Sequence, residues 1–321
     1  MSTLILSLIF SLYPYSDTSD YRNYHQQIIH IEEMIVDEQY DLALDEYVKL
    51  FDQYDYIFKR DLKIATDLSL FLKRKEQAVQ LVTECLSKGW ELKSFQKDKL
   101  KDLFSAEEYS NLKQQAPQLH HQYISSLDID TRKTVHGLFK KDQRKAFRAF
   151  LKWGDKAQEK FMDSIFAPHS ELQMKTMKQV ILSKGYPGEQ LIGNNYWGST
   201  VISHHNSLTY DYVKRDTLFP DLKPYLYESL RKGQISPYEM ALIEDWKNAV
   251  LRDSSSIAFG YVNPPSKQTL QQINKNRKAI GLRSIELRNK LVGIEKKTGL
   301  KFYLPNWTKG EIPILEEKGE V

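Results

Sequence analysis

QYDLALDEYVKLF (residues 39–51) and KEQAVQLVTECL (residues 75–86) decide the fold class. In the first, Leu42, Leu44, Tyr47, Val48 and Phe51 recur at three- and four-residue spacing, as Ile28, Ile31 and Ile35 do upstream. That spacing is the stripe an amphipathic helix buries. Laid one over the other, the two stretches align Ala43 with Ala78, 35 residues apart, each after a polar turn. A small side chain at that point lets antiparallel helices approach closely. Between residues 20 and 115 there is no proline and only one glycine, Gly89, where Lys88-Gly89-Trp90 fits a helix C-cap with an aromatic ring stacked on it. Helical hairpins of this kind cannot bury their apolar faces singly, so residues 20–115 are expected to stack in series.

The paired stretches resemble the second helix of tetratricopeptide repeats, whose period is close to theirs. The resemblance covers roughly residues 20–90, and the Trp and Gly of that family's first helix are absent. It implies either a concave peptide groove or a packing module for the rest of the chain. About two repeats are too few for a long groove, which favours the packing module.

Working outward, 321 residues are enough for about two domains, and 41% hydrophobic content can fill their cores. A net charge of +4 is too small to imply a polyanionic partner, so no nucleic acid is expected. The charge is nevertheless uneven. Residues 17–55 carry 11 acids against Arg22 and Lys49, while residues 131–160 carry 10 bases against 3 acids and residues 271–310 carry 10 against 2. Such blocks read as solvated helix faces, with docking as the minority reading. Cys85 is the single cysteine, which excludes an intramolecular disulfide and a Cys₄ or Cys₂His₂ zinc site.

At the N-terminus an apolar run at residues 4–12 is too short to span a bilayer but fits a signal-peptide core, with residues 1–16 as the segment removed. No Lys or Arg precedes it and no A-x-A-like site follows. Export is the favoured reading; a cytoplasmic protein that buries the run is the alternative. No later segment is apolar for long enough to be transmembrane.

Residues 116–134, polar and broken by Pro117, read as the connection to a second, compact helical domain at 130–310, with an acidic tail at 311–321. LFKKDQRKAFRAFLKW (residues 138–153) reads as a basic amphipathic helix with Phe139, Phe147 and Phe150 inward. A second helix carries Met174, Met177, Val180 and Ile181 and is capped by Gly185. Tyr186-Pro187-Gly188-Glu189 then suits a type II turn. Ser199 is placed to cap a helix bearing Val201, His204, His205, Leu208 and Tyr212 on one side. Ser236-Pro237-Tyr238-Glu239 is a capping box, and on its helix Asp245 shares a stripe with Tyr238, Ala241, Leu242 and Ala249. Two more helices are expected at about 267–280 and 284–298, and a short strand at 301–304.

In order, Asp142-Gln143, GYPGEQLIG, His204-His205, LFPDLKPYL, KGQISPYEMALIED and NKNRKAIGL resemble a bacterial domain family with no assigned function, common among relatives of Bacteroides. The resemblance covers about residues 130–285. Where that family has Asp-Arg this chain has Asp245-Trp246, and where it has a Tyr-Gly-Thr-Gln-like turn this chain has Phe259-Gly260-Tyr261-Val262. It implies a domain rather than a reaction.

Candidate chemistry gathers on His204, His205, Asp245 and Arg277. The adjacent histidines point about 100° apart on a helix, and no H-E-x-x-H pair occurs. Asp245 could orient one imidazole as a general base, or join it as a metal ligand; a buried His–Asp tie between helices is the structural alternative. Arg277 could pair with Asp245 or hold an anion. No glycine-rich phosphate loop, nucleophile elbow or cofactor motif is present. The expectation is therefore a mostly α, two-part chain acting as a non-catalytic binding or scaffold protein for a protein or peptide. The alternative is a hydrolase-like or metal-assisted enzyme.

Overall fold

The computed structural model describes residues 20–251, 259–304 and 310–316. The expected signal segment at 1–16 and residues 317–321 of the expected acidic tail lie outside them. Among the described residues the protein is mostly α-helical, in a series of short hairpins followed by a compact helical unit.

The first part runs α1 (Tyr21–Val36), α2 (Tyr40–Phe51), α3 (Lys59–Phe71), α4 (Lys75–Ser87), α5 (Lys97–Leu103) and α6 (Ala106–Ser126). α1 packs on α2 and α3 on α4, so two helix–turn–helix units lie in series, with α6 laid against α4. Ala43 and Ala78 are both fully buried where the close approach required them. Trp90 follows Gly89 (φ +84°) and donates its indole N–H to the carbonyl of Lys59 at 3.0 Å, which pins the turn after α4 to the start of α3. The expected break at 116–134 is corrected in part: α6 continues through Pro117, and the chain turns only at Leu127 and Asp128. A Ser105–Glu108 capping box starts α6, and Leu112 anchors it in the core.

The second part begins with α7 (Ile129–Phe150). α8 (Asp155–Phe161) continues through one π-helical turn (Met162–Phe166) into α9 (Ala167–Lys184). The π turn lies just before Pro168, which has no N–H to give to the carbonyl four residues back. After the short α10 (Glu189–Ile192) come α11 (Trp197–Asn206), α12 (Tyr210–Arg215), α13 (Leu218–Arg231) and α14 (Pro237–Leu251). α15 (Leu270–Ala279) and α16 (Ile285–Thr298) then form where two helices were expected. α11 is the central element, packed against α7, α9 and α14.

Several local expectations change. On α7 the buried positions are Thr131, Val135, Asp142 and Ala149, so the small side chains of the last turns face inward and Phe147 and Phe150 face solvent. α11 starts two residues before Ser199, and it is the Asn194 carboxamide that accepts from the N–H groups of Tyr196 and Trp197. The Tyr186–Glu189 segment is not a type II turn: Gly188 has φ −95° and its N–H returns to Tyr186 O at 2.8 Å across Pro187. Glycine is required there because Gln234 O lies 2.3 Å from where a Cβ would stand. Residues 301–304 form no strand; the bridge that does occur joins Ser266 to Leu315.

The two parts interlock through the end of the chain. Leu291, Ile294, Leu300 and Phe302 belong to the core of α1–α6, whereas Ile285 at the start of α16 belongs to the core built around α11. α16 packs on α1, and Gly281, in the turn before it, has φ +76° and comes so close that a Cβ there would lie 2.7 Å from that of His25.

Candidate functional site

The structure gives His204, His205, Asp245 and Arg277 separate partners. His204 Nδ1 lies 2.5 Å from Asp142 Oδ2; Asp142 is fully buried, and the imidazole is about a quarter exposed. His205 is buried, with Nδ1 3.0 Å from Ser170 Oγ and Nε2 3.1 Å from Asp216 Oδ1, the latter contact without hydrogen-bond alignment. Asp216 also accepts from the N–H groups of Leu218 and Phe219 and so caps α13. Burial raises its carboxyl, but His205 and the two amides outweigh that and hold it below the usual range.

Neither histidine is hydrogen-bonded or ion-paired to Asp245 among the described residues, so the expected pairing is replaced by Asp142 for one ring and Asp216 for the other. Asp245 instead accepts from the backbone N–H groups of Phe259 (2.6 Å), Tyr261 (2.7 Å) and Val262 (3.4 Å). Burial pushes its carboxyl up to about 6 against the lowering effect of those amides and of Arg277. Arg277, fully buried, donates to Phe259 O and Arg283 O at 2.6 Å each and lies over the Tyr261 ring. Asp245 and Arg277 thus clamp one turn from its two sides. Of the four candidates only His204 offers a carboxylate-oriented ring with an open edge, the geometry a general base uses. No group of three His, Cys, Asp or Glu side chains is gathered for a metal ion among the described residues. Cys85, buried against Thr66, has its thiol pushed up to about 12 by burial, which leaves it inert.

A second candidate site lies between the two parts, where a partly open cavity of about 660 Å³ is bounded by α1, the start of α3, Trp90, α10 and the loop after it, the start of α14, and the turn before α16. Three of the motifs quoted above line it: Glu189 and Gly193 from GYPGEQLIG, Ser236 to Glu239 from KGQISPYEM, and Gly281 and Leu282 from NKNRKAIGL. Its walls are largely apolar and aromatic, with Ile28, Phe58, Trp90, Tyr196, Tyr238 and Tyr303 among them.

The floor is charged. Glu32, fully buried on α1, accepts from Arg60 Nη2 at 2.8 Å and from Arg283 Nε at 2.5 Å. Arg60 also donates to Asp61 (2.8 Å) and to Phe302 O (3.0 Å), and Asp61 accepts from Tyr24 Oη. Burial raises Glu32, but the two guanidiniums outweigh it and hold its carboxyl below the usual range; at Asp61 burial wins over Arg60 and the carboxyl is raised. His25, buried beside this network, is driven down to about 3 by burial, helped by Arg283 and Arg60, and its Nε2 has no hydrogen-bond partner among the described residues.

Above the floor stand two acids and an amine. Glu189 accepts from Tyr56 Oη (2.6 Å) and the Lys59 N–H (2.7 Å), and burial raises it. Glu239, held by Ser236 and Tyr186 Oη, is pushed up to about 8 by burial and is therefore protonated at neutral pH. Lys59 has its ammonium 5.6 Å from the Trp90 ring centroid and 5.2 Å from that of Tyr123. Burial lowers its pKa, and no carboxylate lies within ion-pair range of Nζ among the described residues.

These residues escaped the sequence reading because a lone Lys or Glu on an amphipathic helix reads as surface. The available signal was the Ser236–Glu239 capping box, correctly placed at a helix start but read as a cap alone, and GYPGEQLIG, read as a helix C-cap followed by a turn. No protein-family model matches the chain, and neither the curated proteins nor the solved structures give a match.

Proposed function

We propose that this is a non-catalytic binding protein that holds a carboxylate-bearing ligand, a short peptide end or a small aromatic acid, in the cavity between its two helical parts. In this reading the first part is a pair of tetratricopeptide-like hairpins serving as a packing wall. The second is a relative of the functionally unassigned bacterial domain, whose motifs supply the opposite wall. The observation that carries the reading is Lys59: its desolvated ammonium, between two aromatic rings at the cavity edge, feels Glu189 only at a distance and has no carboxylate within ion-pair range among the described residues. Arg60 and Arg283 are already neutralised by Glu32 and Asp61, so the amine is the position where a ligand anion gains most. The aromatic and apolar walls suit a flat or branched body attached to that anion, and a volume of this size is typical of small-ligand pockets.

The test is thermal unfolding in the presence of a panel of aromatic monocarboxylates and of short peptides with free C-termini. At least one should raise Tm, since a ligand at about 100 times its Kd stabilises the native state by about 2.7 kcal/mol. Lys59→Met keeps the aliphatic stem and should lose that rise. A panel without effect, or a Lys59→Met protein shifted as far as the unaltered one, overturns the proposal.

A further inference from the structure

The hairpin made by α7 and the continuous α8–α9 helix ends in a tip at which every residue from 151 to 160 is exposed. Its apolar side chains are turned outward. Phe147, Phe150 and Leu151 fall on one helical face at 62%, 78% and 58% exposure, and Trp153 just beyond is 96% exposed. The cause lies in the helix phase: Ala146 and Ala149 occupy the inner side of the last turns, above a small cluster of Phe166, Leu208, Tyr212 and Val213. Beside the rings the tip exposes Arg144, Arg148, Lys152, Lys156 and Lys160, against Asp155 and Glu159 between residues 144 and 160. None of these five bases is ion-paired among the described residues.

We propose that this tip docks on an anionic lipid bilayer, the rings of Phe147, Phe150 and Trp153 lying at the headgroup–acyl boundary and the five cations among the phosphates. Exposed aromatics ringed by unneutralised bases are what such a surface selects, because each half of the contact is met by a different layer of the bilayer. A protruding point also fits a deformable plane, whereas a protein partner would have to supply a pocket for Trp153. The bases are spread around two helices, and a planar anionic surface reads their sum, which needs no matching register.

The experiment is co-sedimentation of the full chain with vesicles of equimolar phosphatidylcholine and phosphatidylglycerol, beside vesicles of phosphatidylcholine alone. The expected result is binding to the first and not the second, weakening as salt is raised, with a blue shift of tryptophan emission that Trp153→Phe removes. Phe150→Ser with Trp153→Ser should lower the vesicle affinity about tenfold or more, with Tm unchanged because both positions are exposed. Lys152→Glu with Lys156→Glu should lower it as well. Failure to bind the mixed vesicles at low salt overturns the proposal. So does full binding by the aromatic double variant, or capture of an acidic protein through the tip without vesicle binding.

Discussion

Glu239 has two jobs that pull its proton in opposite directions. As the reciprocal half of a capping box it accepts from the backbone N–H and hydroxyl of Ser236, which favours the carboxylate. Burial beside Tyr186, facing Glu189, favours the neutral acid more strongly and sets the pKa at about 8. An acid raised on folding binds its proton in the native state while the unfolded chain, with a value near 4.5, has released it. Its contribution to stability is therefore complete below about pH 4.5 and fades as pH climbs to about 8. His25 works the other way: driven down to about 3 on folding from 6.5, it costs stability as pH falls through that range and is silent above it. Between pH 6.5 and 8 only the first of these two slopes acts. Urea midpoints should fall across that interval in the unaltered protein and stay flatter in Glu239→Gln. Equal slopes in the two proteins would refute the buried acid.

α6 shows what a breaker residue does when the helix around it is long enough. Pro117 removes one backbone hydrogen bond and crowds the carbonyl four residues earlier, yet the helix holds, fixed at its start by Ser105 and Glu108 and packed along α4. Its surroundings are polar because most of this helix faces water, which made the segment read as a connection. Pro117→Ala should accordingly raise stability by about 1–3 kcal/mol, measured by urea unfolding; a loss would mean that the proline shapes a necessary bend. Other element ends were legible, because they depend on neighbours in sequence: Gly185 and Gly89 as C-caps, Ser236 to Glu239 as a start, Ala43 and Ala78 as close-contact points. The outward rings of α7 were not. Periodicity says that a stripe exists, and with bases and aromatics on adjoining faces it cannot say which face the alanines claim.

Across the whole molecule the limit was pairing at a distance. The sequence marked His204, His205, Asp245 and Arg277 as unusual, and all four are at least largely buried, but it could not say which acid each would meet. Asp142 was noted only as half of a polar pair beside an aromatic stripe, Asp216 stood in a segment with no special pattern, and Asp245 was taken by a turn of backbone amides. The tie between Glu32 and Arg283 was still less visible, since the two residues are 251 positions apart. It is also energetically demanding, because the Glu32 carboxylate is fully buried. Glu32→Ala leaves two buried guanidiniums without their shared carboxylate and should cost about 3–5 kcal/mol by chemical denaturation, whereas Glu32→Gln, which keeps the shape and an acceptor, should cost less. An alanine effect below about 1 kcal/mol would mean that water already compensates those charges.

That tie also sets an order of events during synthesis. The carboxylate on α1 leaves the ribosome 251 residues before one of its final partners, the guanidinium of Arg283. The α1–α4 hairpins must therefore keep a charged, unfinished flank until the turn before α16 has been made.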